Sequence, residues 1–159
     1  MKNEKLLEAM GYLDEQFLAE NFGAVVIGTT GWADIKEEVI AYFEKCGPPM
    51  IWASNYSIGV NVFFNTLKKL APLLYDYDIE IIEAHHNQKK DAPSGTAKRA
   101  AEIVAENLEL SLDETACYGR EGIVGKRPKD EIGIHAVRGG DIVRDHTVMF
   151  CGDGERIEV

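Results

Sequence analysis

Three features of this 159-residue chain predict an α/β segment to about Tyr56, followed by an α+β region with a mixed or antiparallel sheet. A β-branched run, a helical stretch and a second short apolar run follow one another between Gly23 and Ser54. At Asp78 the apolar period changes from that of a helix to strict alternation. Two later apolar stretches flank Gly139 and Gly140, which is a hairpin signal.

Leu6, Met10, Leu13 and Phe17 recur at three- and four-residue spacing, which predicts a helix over 3–20 with one buried face. GAVVIGTTG reads as a short buried strand running into a glycine-threonine loop. Ile35, Val39, Tyr42 and Phe43 mark the inner face of a second helix, and KCGPP ends it before the apolar run MIWAS. Strand, helix and strand form the unit of a parallel sheet. NYSIGVNVFFNTLKKLAPLLYD starts with a capping serine, Ser57, and carries Val60, Phe63, Phe64, Leu67 and Leu70 at helical spacing. In DIEIIEAHH, Ile79 and Ile81 share one face of a strand and Glu80 and Ile82 the other, so His85 and His86 diverge if the strand persists. APSGTAKRAAEIVAENL predicts a helix starting near Ser94, and residues 109–130, rich in Gly, Lys, Arg and Pro, predict a loop. The strands of EIGIHAVRGGDIVRDHTVMF follow as the hairpin, and GDGERIEV turns into one more strand.

The net charge of −10 argues against polyanionic partners, because nucleic acid and anionic membranes are bound chiefly through Lys and Arg. Lys89, Lys90, Lys98 and Arg99 are a local reversal of sign that can draw a small anion. Cys46, Cys117 and Cys151 are odd in number and contain no CxxC pair, so the expectation is a reduced, cytoplasmic protein without a disulfide framework. The first residues lack a continuous apolar stretch, and no run approaches membrane-spanning length, so neither a signal peptide nor a membrane span is expected.

Two motifs carry chemistry. GTTG, Gly28 to Gly31, sits at the carboxyl end of a buried strand, where open parallel sheets bind ligands, although a plain strand-to-helix turn also needs glycine. DAPSGTA sets Ser94, Gly95 and Thr96 at a positive helix end, either as an anion site or as an ordinary cap. His85, His86 and Lys89 precede it by a few residues and can exchange protons or stabilise negative charge. Adjacent histidines on a strand diverge, and no cysteine or spaced carboxylate completes a tetrahedral set, so no metal is expected.

VVIGTTGW, ASNYSIGVN, EAHHNQKKDAPSGTA, GIHAVRGGDIVRDHTVMF and GERIE resemble, in order and rough spacing, the blocks of the 4-hydroxy-tetrahydrodipicolinate reductase (dihydrodipicolinate reductase) family of lysine and diaminopimelate biosynthesis. The resemblance covers about residues 23–159. It implies an oxidoreductase with a Rossmann domain binding NADPH or NADH, and a second domain that binds the dicarboxylate substrate and assembles a homotetramer. On this chain it implies a partial dinucleotide-binding domain over 1–56 and a substrate-binding and oligomerisation domain over 57–159. Gly28, Thr29, Thr30, Ala53, Ser54, Asn55 and Tyr56 would line the nicotinamide side of the cofactor. His85 would donate or accept the proton, with Lys89 as a second donor. His86, Ser94, Gly95, Thr96 and Thr30 would hold the substrate.

The sequence also departs from that pattern. Residues 1–22 contain no G-x-G-x-x-G turn, and the family continues beyond GERIE. The expectation is a chain shortened at both ends: a reductase by family, weakly active or inactive alone. The alternative expectation is a noncatalytic oligomerising fragment that keeps the dicarboxylate site but not cofactor binding.

Overall fold

A computed structural model describes residues 23–28, 35–46, 48–53 and 55–159. The helix expected over 3–20 lies outside the described residues, as do Thr29, Thr30 and Ser54. The contacts divide the chain into two units, Met1–Tyr56 and Ser57–Val159.

In the first unit, β1 (Val25–Ile27) and β2 (Met50–Trp52) pair in parallel, with Val26 opposite Ile51. They are joined through α1 (Lys36–Cys46), which buries Val39 and Phe43 against Ile27. This is the expected strand-helix-strand unit, and its apolar residues alternate with exposed Val26 and Ile51.

The second unit is a five-stranded mixed sheet with two long helices on one face. The first helix, α2 (Ile58–Leu73), starts at Ser57, whose side chain accepts a hydrogen bond from the Val60 N–H, and it buries Phe64, Leu67 and Ala71. The second, α3 (Gly95–Asn107), starts at Ser94 and buries a run of small and β-branched residues, including Ala97, Ala100, Ala101 and Val104. Both starts lie where the serines predict them, because each hydroxyl satisfies an N–H that has no partner within the helix.

The sheet is built around β3 (Asp78–His85), in the order β4-β5-β3-β6-β7. Here β4 is Ala116–Tyr118, β5 Ile132–Arg138, β6 Asp145–Gly152 and β7 Glu155–Glu158. A parallel pairing joins β5 to β3, and an antiparallel pairing joins β6 to its other side. The hairpin expected at Gly139-Gly140 is therefore not formed. The chain turns there, but β3 lies between the two strands, and the turn passes over its carboxyl end, with Gly139 N–H donating to His85 O and Asn87 N–H to Gly140 O. Ile142 and Val143, expected on the second hairpin strand, lie in that turn, and β6 begins at Asp145. The expected loop over 109–130 also holds more structure: a one-turn helix, α4 (Leu112–Thr115), and the edge strand β4, which pairs in parallel with β5.

One face of the sheet, carrying Ile79, Ile81, Ile132, Ile134, Val148 and Phe150, joins the α2 and α3 residues in a single apolar cluster. Strict alternation leaves Glu80, Ile82, His135, Thr147 and Met149 on the other face.

Candidate functional site

The alternation that buries Ile79 and Ile81 continues into polar residues at the carboxyl end of β3. Glu83 is 0% exposed and His85 8%, both on the helix-covered face. Three other elements converge at this end. The parallel register places Arg138, the last residue of β5, opposite His85. The antiparallel register brings His146, near the start of β6, opposite Glu83. The amino end of α3 supplies Ser94, which is 3% exposed.

Glu83 is the hub. Its Oε2 accepts from His85 Nδ1 at 2.5 Å and from Arg138 Nη1 at 2.9 Å. Its Oε1 accepts from the Ser94 N–H at 3.1 Å and from Arg138 Nη2 at 2.7 Å. A carboxylate has about four lone-pair positions, and here four donors are in place. Burial works to raise the Glu83 pKa, but hydrogen bonds from Arg138, His85 and the Ser94 N–H outweigh it and hold the group below the usual carboxylate range. An ionised carboxylate only accepts, so His85 carries its proton on Nδ1. Among the described residues Nε2 has no hydrogen-bond partner, and no buried side-chain nitrogen is left without one, so Nε2 opens to solvent.

A second link closes the cluster. Ser94 Oγ accepts from the Ala97 N–H at 3.2 Å and lies 2.9 Å from His146 Nε2. The His146 ring meets that of His85 edge to face, with centroids 5.2 Å apart. Burial, reinforced by the nearby His85, pushes the His146 pKa down, so His146 favours its neutral form.

The loop from His86 to Pro93 closes the site. Lys89 Nζ donates to Asp91 Oδ1 at 2.7 Å, and this contact is the main cause that holds the Asp91 pKa low. Arg138 Nη2 also donates to Asp91 O, which ties the loop to β5. His86 stands just past the end of β3 and is half-buried, as is Thr96, while Gly95 is exposed at the α3 amino end. Of the four cations that reverse the local charge, Lys89 is thus held by Asp91, and Arg99 runs along α3 to Glu102 and Glu106. Lys90 and Lys98 are exposed.

The structure therefore brings His85, Lys89, Ser94, Gly95 and Thr96 to one end of the second unit. The sequence-expected residues Gly28, Ala53, Asn55 and Tyr56 belong to the first unit. Glu83, Arg138 and His146 were not anticipated, although continuing the Ile79, Ile81 alternation by two residues places a carboxylate on the apolar face. Among the described residues no group of three His, Cys, Asp or Glu side chains is placed to hold a metal ion, and no helix is long and apolar enough to cross a membrane.

Comparison with known proteins gives this site a family. A family model described as "Dihydrodipicolinate reductase, C-terminus" matches residues 59–159. The chain belongs to the dihydrodipicolinate reductase family. It is 64% identical over 135 residues to a 4-hydroxy-tetrahydrodipicolinate reductase of Methanobrevibacter smithii, covering 84% of this chain and 50% of the relative. The enzyme of the same name from Methanosphaera stadtmanae is 64% identical over 137 residues, covering 85% of this chain and 50% of its own. The solved structure "Dipicolinate bound Dihydrodipicolinate reductase from Paenisporosarcina sp. TG-14" superposes with a TM-score of 0.59 at 28% identity, covering 97% of this chain and 57% of that one. The chain spans about half the length of the curated reductases it matches. The matched residues 59–159 contain the whole Glu83, His85, Arg138, Ser94 and His146 cluster.

Proposed function

We propose that this chain is part of a 4-hydroxy-tetrahydrodipicolinate reductase, in which Ser57–Val159 binds the dicarboxylate substrate and supplies the proton, and Met1–Tyr56 contributes to the binding of NADPH or NADH. The observation that carries the reading is the buried Glu83–His85 pair opening beside the amino end of α3. A dicarboxylate needs anion-binding donors, and reduction of its ring needs a proton donor; this end of the sheet supports both.

The residues divide the work by position. His85 exchanges a proton through Nε2, since Nδ1 is committed to Glu83. Lys89, restrained by Asp91, is the second proton donor or a counter-charge to substrate. Gly95 and Thr96 offer first-turn amides and a hydroxyl to a carboxylate at the positive end of α3, with His86 beside them. Ser94 serves this site by fixing the helix start, because its hydroxyl is held by Ala97 N–H and His146. A dipicolinate molecule in the related Paenisporosarcina protein supports this ligand class.

For the nucleotide, the fit rests on β1 and β2. Gly28 and Ala53 follow the carboxyl ends of these parallel strands, and Ala53 N–H donates to Ile27 O. The Tyr56 hydroxyl lies 3.2 Å from Ile27 O and 3.0 Å from Ile51 O and shares its single proton between them. A Cβ at Gly28 would rest 3.6 Å from the Tyr56 ring, so glycine keeps backbone and ring open to a flat ligand. Thr29, Thr30, Ser54 and Asn55 belong to the same proposed edge. A reduced nicotinamide supplies a hydride when bound.

The outer face of the second unit's sheet also supports the homotetramer expected from the family. Ile82 is 37% exposed and Val137 47%, on the face opposite α2 and α3, and a second copy would cover them.

The test combines calorimetry with pyridine-2,6-dicarboxylate and an assay of NADPH or NADH oxidation. His85→Ala and Lys89→Ala are expected to lower turnover by about 10²-fold or more with little change in nucleotide affinity. Dicarboxylate binding without turnover would support the oligomerising-fragment alternative. Failure to bind the dicarboxylate would refute the site assignment.

A further inference from the structure

We infer that Glu83 is a positioning residue that locks His85 in its Nδ1–H tautomer, and that Arg138 and the Ser94 N–H hold Glu83 in the one orientation able to do so. This deepens the reading of His85 as the proton-exchanging group and rests on it.

The lock follows from how the two carboxylate oxygens are shared. Oε1 receives the Ser94 N–H and Arg138 Nη2, both obligate donors. Oε2 receives Arg138 Nη1 and His85 Nδ1, and only the histidine nitrogen can change from donor to acceptor. The backbone on either side of the ring is also fixed, since Gly139 N–H donates to His85 O and Asn87 N–H to Gly140 O. Neighbours cannot reorder the arrangement cheaply: His146 packs edge-on against His85 and is itself engaged with Ser94. Nδ1 is therefore a donor to Glu83, and Nε2 is the nitrogen left for chemistry.

Glu83→Gln makes an inverted arrangement the favoured one. Glutamine has one carbonyl oxygen and one NH2 where glutamate has two acceptors. The Ser94 N–H cannot become an acceptor, so the carbonyl takes the Oε1 position and the NH2 takes the Oε2 position. There it faces Nδ1, which must then accept, and the proton moves to Nε2. A histidine that carries its neutral-state proton on Nε2 cannot take one there from solvent or substrate.

Long-range proton–nitrogen NMR on 15N-histidine-labelled protein reads this directly, with His85→Gln used to assign the signals. The wild-type chain is expected to show His85 as the Nδ1–H tautomer, and Glu83→Gln to shift it to Nε2–H. Because Glu83→Gln leaves Arg138 short of an acceptor, the double variant Glu83→Gln with Arg138→Gln serves as the folded control with no buried charge, and loss of the pure Nδ1–H form is expected there too. In the reductase assay, Glu83→Gln is expected to lower kcat by about 10²-fold while KM for the dicarboxylate substrate stays within about threefold. A wild-type His85 found as Nε2–H, or an unchanged Nδ1–H signal in the folded variants, would overturn the inference. The tautomer is read without substrate, so failure to bind pyridine-2,6-dicarboxylate would count against the proposed function and leave the lock standing.

Discussion

Gly133→Ala should destabilise the sheet although it adds a single methyl group to a strand. Gly133 sits in β5 opposite Glu80 of β3. A Cβ there would overlap Glu80 Oε2 and stand 2.5 Å from Cδ and 2.9 Å from Oε1. The end of a free glutamate would swing away at little cost, but Glu80 is pinned. Arg120 donates to both of its oxygens, at 2.7 and 3.2 Å, Arg127 Nε to Oε1 at 3.1 Å, and His135 Nε2 lies 2.7 Å from Oε2. Burial works against the Glu80 charge, yet the Arg120, His135 and Arg127 contacts lower its pKa from 4.5 to about 2. At about 1.4 kcal/mol per unit, that shift corresponds to roughly 3 kcal/mol, which solvent screening reduces to about 2 kcal/mol. Alanine recovers about 0.5 kcal/mol of glycine's excess unfolded-state entropy, so the net expected loss is about 1.5 kcal/mol. Hydrogen exchange of the β3 and β5 amides measures it in this sheet alone. In Glu80→Ala the methyl has room, so the double variant should be about as stable as Glu80→Ala. Additivity of the two losses within about 0.5 kcal/mol would refute the reasoning.

Ser94→Ala should cost about 1 kcal/mol through the lost cap, and calorimetry should show weaker binding of pyridine-2,6-dicarboxylate because the first turn of α3 loosens. Acid should destabilise the second unit in two stages. The His146 pKa lies below its ordinary 6.5, so as pH falls through about 6.5 the unfolded chain takes up a proton that the native state resists, and stability declines until the lower native value is passed. His146→Gln should flatten that part of a stability–pH curve measured by urea unfolding. The contribution of Glu80 is fully present above about 4.5 and is lost as pH falls toward about 2; Glu80→Gln should reduce that later decline, and Glu83 and Asp91, whose pKa values are also held low, carry the rest.

Local chemistry made the helix starts and the strand-helix-strand unit legible. Ser57 and Ser94 cap because a hydroxyl satisfies a first-turn N–H wherever the helix sits, and apolar spacing marks the buried face before any partner is known. The expected hairpin does not form: a glycine pair reports that the chain reverses, not what lies between the reversing strands. Strand β3 fills that gap because its inner residues, Ile79 and Ile81, are buried between those of β5 and β6. The β4 strand has three residues in a polar, glycine-rich stretch, and only pairing with Ile132–Ile134 makes it a strand. In the site, His85, Lys89 and the SGT helix start were visible as residue types at short spacing. Arg138 and His146 lie 53 and 61 positions beyond His85, and only sheet register brings them beside it.

That register also explains why a polar cluster so densely charged can be buried at all. The sheet has an apolar end, where Ile79, Ile132 and Phe150 lie side by side, and a polar end that begins four residue pairs along β3, at Glu83. Removing a carboxylate and a guanidinium from water costs several kcal/mol per ion, and their attraction offsets this only when the remaining donors and acceptors are also filled. At Glu83 they are filled by groups from β3, β5 and α3. The parallel β5 delivers Arg138 at its last residue, the antiparallel β6 delivers His146 near its first, and α3 starts with its free N–H groups at the same level. An all-antiparallel meander would place the end of β5 far from the end of β3 and leave Glu83 without its guanidinium. The mixed topology is thus what permits a saturated carboxylate behind His85, and His85 is thereby left with one committed nitrogen and one nitrogen for chemistry.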